Sequence, residues 1–154
     1  MGVDSTVYIC ISFSDDKYYM ELNKENVALR EIILHSKSSI FEISCFDDCL
    51  AEGEVDIRQT EGEILKLTKE QFEEVWQGYT APCRPEWNRV KESMTIGTLL
   101  NMKQCYIYPQ GIILKQNHIT GLCKKIDDFS LNKIVTVKIT GYDDLNMWLI
   151  AEKI

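Results

Sequence analysis

Nucleophilic catalysis needs a cysteine or serine held beside a base, and the 154-residue chain offers two histidines, His35 and His118. His35 ends an apolar run next to the turn Ser36-Lys37-Ser38-Ser39, and His118 follows Asn117 in a polar loop. Neither lies in a local catalytic signature, and both read as surface histidines. Six cysteines, Cys10, Cys45, Cys49, Cys83, Cys105 and Cys123, are scattered along the chain. A structural zinc site needs four converging ligands. Cys45-x3-Cys49 has no second close pair and no nearby histidine, so no metal is expected. Four of the cysteines sit in apolar contexts such as Ile9-Cys10-Ile11 and Cys105-Tyr106-Ile107, where a reduced thiol behaves as a small hydrophobe. Gly53 and Gly62 stand alone, without the spacing of a phosphate loop. No cofactor is expected.

Carboxylates are the remaining chemical resource. Asp47, Asp48, Glu52, Glu54, Asp56, Glu61 and Glu63 crowd into residues 47–63. Their spacing matches no calcium loop, and a glycosidase pair is defined by a separation in space that spacing along the chain does not supply. With no hydrolase motif framing them, the chain reads as non-enzymatic. An acidic face has a second use: it steers association with a basic protein and can imitate the charge of nucleic acid. The charge balance is consistent with that use, at 17 Lys and Arg against 24 Asp and Glu, net −7. Through residue 93 the count is 10 basic against 19 acidic residues, and from Met94 onward it is 7 against 5. Such a balance does not suit whole-surface attraction to DNA, RNA or anionic lipid, although it leaves room for a local basic patch.

The elements that position these residues can be read from pattern. Residues Val7–Phe13, 18–22, Ala28–His35 and 40–46 read as short antiparallel strands with one wet side, and Glu63–Leu67 as one more. Residues 47–63 between them are acidic and turn-rich. Thr68 opens a helix: Thr68 and Gln71 form a capping box, Leu67 and Phe72 a hydrophobic staple. Phe72, Val75, Trp76 and Tyr79 make its buried stripe, and Gly78 and Pro82 end it. The segment Pro82-Cys83-Arg84-Pro85-Glu86-Trp87 interrupts regular structure. The reading is therefore two domains, 1–92 and 93–154, in an α+β, mostly β chain. From Met94 on, the strands expected are 95–102, 105–108, 111–114, 134–139 and 147–151, a small barrel. Residues 1–10 carry no basic residue before an apolar run, so no signal peptide is expected. No stretch reaches the roughly eighteen apolar residues of a membrane span. The expectation is a cytoplasmic protein without a membrane partner.

The order Ile96-Gly97-Thr98-Leu99, Gly111-Ile112-Ile113-Leu114, Gly121-Leu122, the run from Ile134 to Ile139, Asp143 and Trp148-Leu149-Ile150-Ala151 resembles the S1-like RNA-binding domain. That resemblance implies a five-stranded OB-fold barrel that stacks single-stranded RNA on exposed aromatics, with basic residues along the phosphates. The family's aromatic positions, one before the glycine of its glycine-containing strand (here Gly111) and one two residues after it, are here Gln110 and Ile113, and its histidine after the Gly-Leu pair is replaced by Cys123 and Lys124. A substitute RNA surface would use Lys103, Tyr106, Tyr108, Lys115, Lys124 and Lys125.

In size, acidity and general character the whole chain resembles the immunity proteins of bacterial toxin systems, which cap a toxin, often a nuclease. That resemblance implies a protein-binding inhibitor of a basic toxin domain. The docking residues would be Asp47, Asp48, Glu52, Glu54 and Asp56, with Phe46, Tyr79 or Trp87 as aromatic anchors. An RNA-binding accessory protein acting through the S1-like half is the alternative.

Overall fold

A computed structural model describes residues 6–154. The signal-peptide expectation for residues 1–10 therefore lies partly outside the described residues. The chain is mostly β and divides into two compact units, Met1–Ala81 and Pro82–Ile154.

The first unit is a five-stranded antiparallel sheet in the order β4-β3-β2-β1-β5, built from β1 (Val7–Phe13), β2 (Asp16–Leu22), β3 (Ala28–His35), β4 (Ile40–Ile43) and β5 (Glu63–Leu67). Strand alternation puts Tyr8, Cys10, Tyr19, Glu21, Arg30 and Ile32 on one face, and Ile9, Ile11, Tyr18, Met20, Glu31 and Ile33 on the other. Helix α1 (Lys69–Thr80) lies on the first face, with the Phe72 ring 5.3 Å from that of Tyr8. Its capping box forms as expected, with Gln71 N–H donating to Thr68 Oγ1 (3.1 Å) and Thr68 N–H to Gln71 Oε1 (2.8 Å). Phe72 and Trp76 are fully buried, and Val75 and Tyr79 are half-buried.

The second face is not wet. Ile9, Ile11, Met20, Glu31 and Ile33 are all buried on it. Residues 44–62 return to this side and are anchored there. Glu31 N–H donates to Ser44 Oγ (3.0 Å), Ala51 N–H donates to Glu31 Oε1 (2.8 Å), and Val27 bridges Glu54. The acidic stretch is thus a cover for the sheet, and β4 ends at Ile43 because the chain turns there to begin it.

The second unit opens with a helix that the two prolines conceal, α2 (Arg84–Ser93). Pro85 stands in its first turn, where the missing N–H leaves no helix bond unmade. A closed barrel follows, ordered β10-β8-β7-β6-β9, from β6 (Leu99–Tyr108), β7 (Gly111–Gln116), β8 (Ile119–Cys123), β9 (Ile134–Asp143) and β10 (Trp148–Lys153). Its pairs are antiparallel except β8 with β10, which is compatible with an OB-like fold.

Two strand assignments change. The expected strands 95–102 and 105–108 are one strand, β6, whose register shifts between Gln104 and Tyr106, so a bulge at Cys105 imitates a break. The fifth strand is β8, buried along its whole length and therefore without the alternation that marks a strand. Gly111 is required where β7 begins. Its φ is 148°, and an added Cβ would lie 2.3 Å from the Cys123 carbonyl oxygen.

Asp144, in the turn between β9 and β10, fastens α2 to the barrel. Its carboxylate accepts from Trp87 Nε1 (2.8 Å) and Lys91 Nζ (2.7 Å), and its carbonyl accepts from Arg84. Those bonds from Lys91 and Trp87 hold its pKa below the usual carboxylate range. Asp144→Ala leaves the indole N–H of buried Trp87 without its acceptor, and about 1–2 kcal/mol of stability should be lost. Faster hydrogen exchange across α2, with the β7 and β8 amides unaffected, is the expected signature; Asp144→Asn should lose less.

Candidate protein-docking surface

The structure sorts the acidic segment into an inner and an outer side. Cys45 and Leu50 are buried, while Asp48, Glu52, Glu54 and Asp56 are exposed. Asp47 is not part of that outer array. It is half-buried, and its Oδ2 accepts the Ile43 N–H (2.9 Å), closing the turn after β4. Asp56 organises the far end, accepting from Arg58 N–H (3.0 Å) through Oδ1 and from Thr60 Oγ1 (2.7 Å) through its carbonyl. Val55 N–H donates to the Asn26 carbonyl (2.8 Å). Among the described residues, no ion pair engages Asp48, Glu52, Glu54 or Asp56. The result is an array of exposed carboxylates that, among the described residues, no salt bridge neutralises.

The expected aromatic anchors separate. Phe46 adjoins the array and is half-buried. Tyr79 belongs to the opposite, helix-covered side of the sheet, its ring tilted against that of Phe41 with centroids 4.8 Å apart. Trp87 is buried in the second unit, with its N–H committed to Asp144 and its ring edge-on to Tyr142. Burial removes Trp87 from any surface role. Phe46 alone stays with the carboxylates.

The residues of the alternative RNA surface are also placed. Lys103 and Lys115 face each other across β6 and β7, and Lys115 Nζ sits 5.6 Å over the Tyr106 ring. Tyr106 in turn packs on Tyr108 at 5.0 Å. Tyr108 is buried against Trp148, and Ile113 is only 1% exposed. Lys124 and Lys125 are exposed and, with Lys153, Asp127, Asp128 and Glu152, line a cavity of about 450 Å³. That lining is of mixed charge, unlike a phosphate track.

Histidine chemistry takes a different form from the one expected. His35 is half-buried, bridging two strands from Nδ1 to Asp16 (3.4 Å) and from Nε2 to Glu42 (2.8 Å). The bonds to Glu42 and Asp16 raise its pKa, and both ring nitrogens are occupied, so it acts as a cross-strand clamp. His118 is exposed and pairs with Glu86 (2.9 Å). Among the described residues no disulfide joins any of the six cysteines. Burial pushes the Cys49 thiol well up, reinforced by Glu31 and Glu42, the reverse of what a nucleophile needs.

Beneath the acidic array lies a residue that composition alone does not single out. Glu31 is 2% exposed, and burial, with Glu42 adding to it, raises its pKa to about 7 against the single opposing hydrogen bond from Ala51. The signal for it is local: Arg30-Glu31 is a charged pair in the middle of the apolar run Ala28–His35.

No family model, curated protein or solved structure matches the chain. Among the described residues no helix is long and apolar enough to cross a membrane.

Proposed function

We propose that the chain is a non-catalytic protein-binding protein whose acidic segment, residues 47–63, docks a basic partner. The finer reading is a cytoplasmic immunity protein of a bacterial toxin system, with the partner a toxin domain, often a nuclease. One observation carries the proposal: Asp48, Glu52, Glu54 and Asp56 are exposed, held on a segment anchored to the sheet, and, among the described residues, engaged in no salt bridge. Charges fixed in position raise encounter rates and lose little entropy on binding. A nuclease surface built to bind phosphates offers the complementary pattern.

The alternative is an RNA-binding accessory protein, favoured by the OB-compatible barrel and by the Lys103–Lys115–Tyr106 group. It has one partly exposed ring to stack on, because Tyr108 and Ile113 are buried, and stacking is worth roughly 1–3 kcal/mol per base.

This reading expects a basic toxin-like domain to be encoded next to this gene; the test is co-expression with that domain, followed by association kinetics. Lysine at Asp48, Glu52 and Glu54 together should slow association about tenfold or more at low salt, and the deficit should shrink as salt rises. Asp47 is left intact because it closes a turn. Unchanged kinetics in the triple variant would sink the acidic-face assignment. Salt-sensitive binding of a short RNA, abolished by Lys103→Glu with Lys115→Glu, would transfer the function to the barrel.

A further inference from the structure

The carboxyl of Glu31 lies buried under residues 44–62 and accepts a hydrogen bond from that segment's backbone, at the amide of Ala51 (2.8 Å). Among the described residues no salt bridge engages it. From β2, Tyr18 faces it beside Met20; from β4, Glu42; from the cover, Ser44 and Cys49, with Asp47 and Asp48 behind the thiol. Arg30, its neighbour in sequence, points to the opposite face and is committed to Glu21 and Glu73. His35 is committed to Asp16 and Glu42. A carboxylate left here would be desolvated, would accept one N–H, and would sit among other anions; a neutral carboxyl avoids the desolvation and the repulsion.

We propose that Glu31 is a proton-operated latch for residues 44–62, holding the acidic segment on the sheet when neutral and loosening it on ionisation. The regulatory consequence, that the docking array is best ordered in mild acid and softens toward neutrality, rests on the protein-docking reading above; the latch itself does not. The direction follows from linkage. In the open segment the carboxyl returns toward its ordinary value of 4.5, whereas in the closed one it titrates near 7. Closure is therefore strongest below 4.5, weakens by about tenfold per unit of pH as the pH rises toward 7, and levels off above it.

Two measurements on the free protein decide it, so failure here is distinguishable from failure to bind a partner. The Glu31 carboxyl carbon, followed by NMR, should titrate with a midpoint near 7, and the Ala51 amide shift should move with it. Exchange of the amides at 45–55, divided by the intrinsic rate, should accelerate about seventyfold between pH 5 and 8, while in Glu31→Gln it should stay nearly flat. A carboxyl midpoint in the ordinary 4–5 range, or the same pH dependence in Glu31→Gln as in the parent, overturns the latch. The titration needs no substitution, so a poorly folding variant does not remove the test.

Discussion

Arg30→Ala is expected to cost the first unit about 3–5 kcal/mol, the range for breaking a buried ion pair by removing one partner. Arg30 is 2% exposed. Its Nε and Nη2 reach Glu21 (2.8 and 3.2 Å), and its Nη1 and Nη2 reach Glu73 on α1 (2.9 and 2.7 Å). The guanidinium carbon also stands 4.9 Å from the ring centroids of both Phe72 and Trp76. Burial alone would push the guanidinium pKa down, but the hydrogen bonds it donates to Glu73 and Glu21 raise it instead. Alanine would open a cavity between two aromatic rings and leave Glu21 and Glu73 facing each other without a cation. Tyr8, whose hydroxyl donates to Glu21 (3.2 Å), would then be that carboxylate's remaining neutral partner in the group. Arg30→Lys should retain the charge but lose the two-sided fork. The triple change Arg30→Met, Glu21→Gln and Glu73→Gln should recover most of the loss, because it removes the charges together. Urea unfolding followed by tryptophan fluorescence measures all three. A loss under 1 kcal/mol for Arg30→Ala would show that the helix is held by Phe72 and Trp76 alone.

How far this could be read from sequence depends on whether the information is local. The capping box at Thr68 and Gln71 is complete within four residues, and the structure reproduces it bond for bond. Phe72 and Trp76 announce their burial by helical spacing. Arg30 and Glu31 do not announce theirs, because strand alternation sends adjacent side chains to opposite faces, and only the pairing register shows what each face meets. The acidity of residues 47–63 is plain in composition. Its anchoring is not, because Ala51 finds Glu31 across twenty residues of chain. Strand β8 hides because both of its faces are buried, and α2 hides because Pro85 is counted as a breaker where it is a starter. Trp87 looks like a surface anchor in sequence for the same reason: without α2 there is nothing to carry it inward to Asp144.

The second large effect comes from the residue next to Arg30 and has the opposite pH dependence. Glu31→Gln keeps an oxygen to accept from Ala51 and removes the ionisable group. Because the folded pKa of Glu31, about 7, lies above its ordinary value of 4.5, the parent holds the full benefit of the neutral carboxyl below 4.5 and loses it as pH rises through 7. The variant should therefore match the parent near pH 4.5 and exceed its unfolding free energy at pH 8 by about 2–3 kcal/mol. The Arg30 cluster slopes the other way. Hydrogen bonds from Arg30 hold the Glu73 pKa below its ordinary range, so that contribution is present above the ordinary range and is lost as pH falls through the depressed value. Two adjacent residues on opposite faces of β3 thus bound the first unit's stability from the acid and the alkaline side, and the parent should be most stable in mild acid. Denaturant titrations from pH 3 to 9 separate the two slopes. Glu31→Gln should flatten only the alkaline limb and Arg30→Ala only the acid one, and a Glu31→Gln gain that is the same at pH 4.5 and pH 8 would mean that the buried carboxyl is not what titrates.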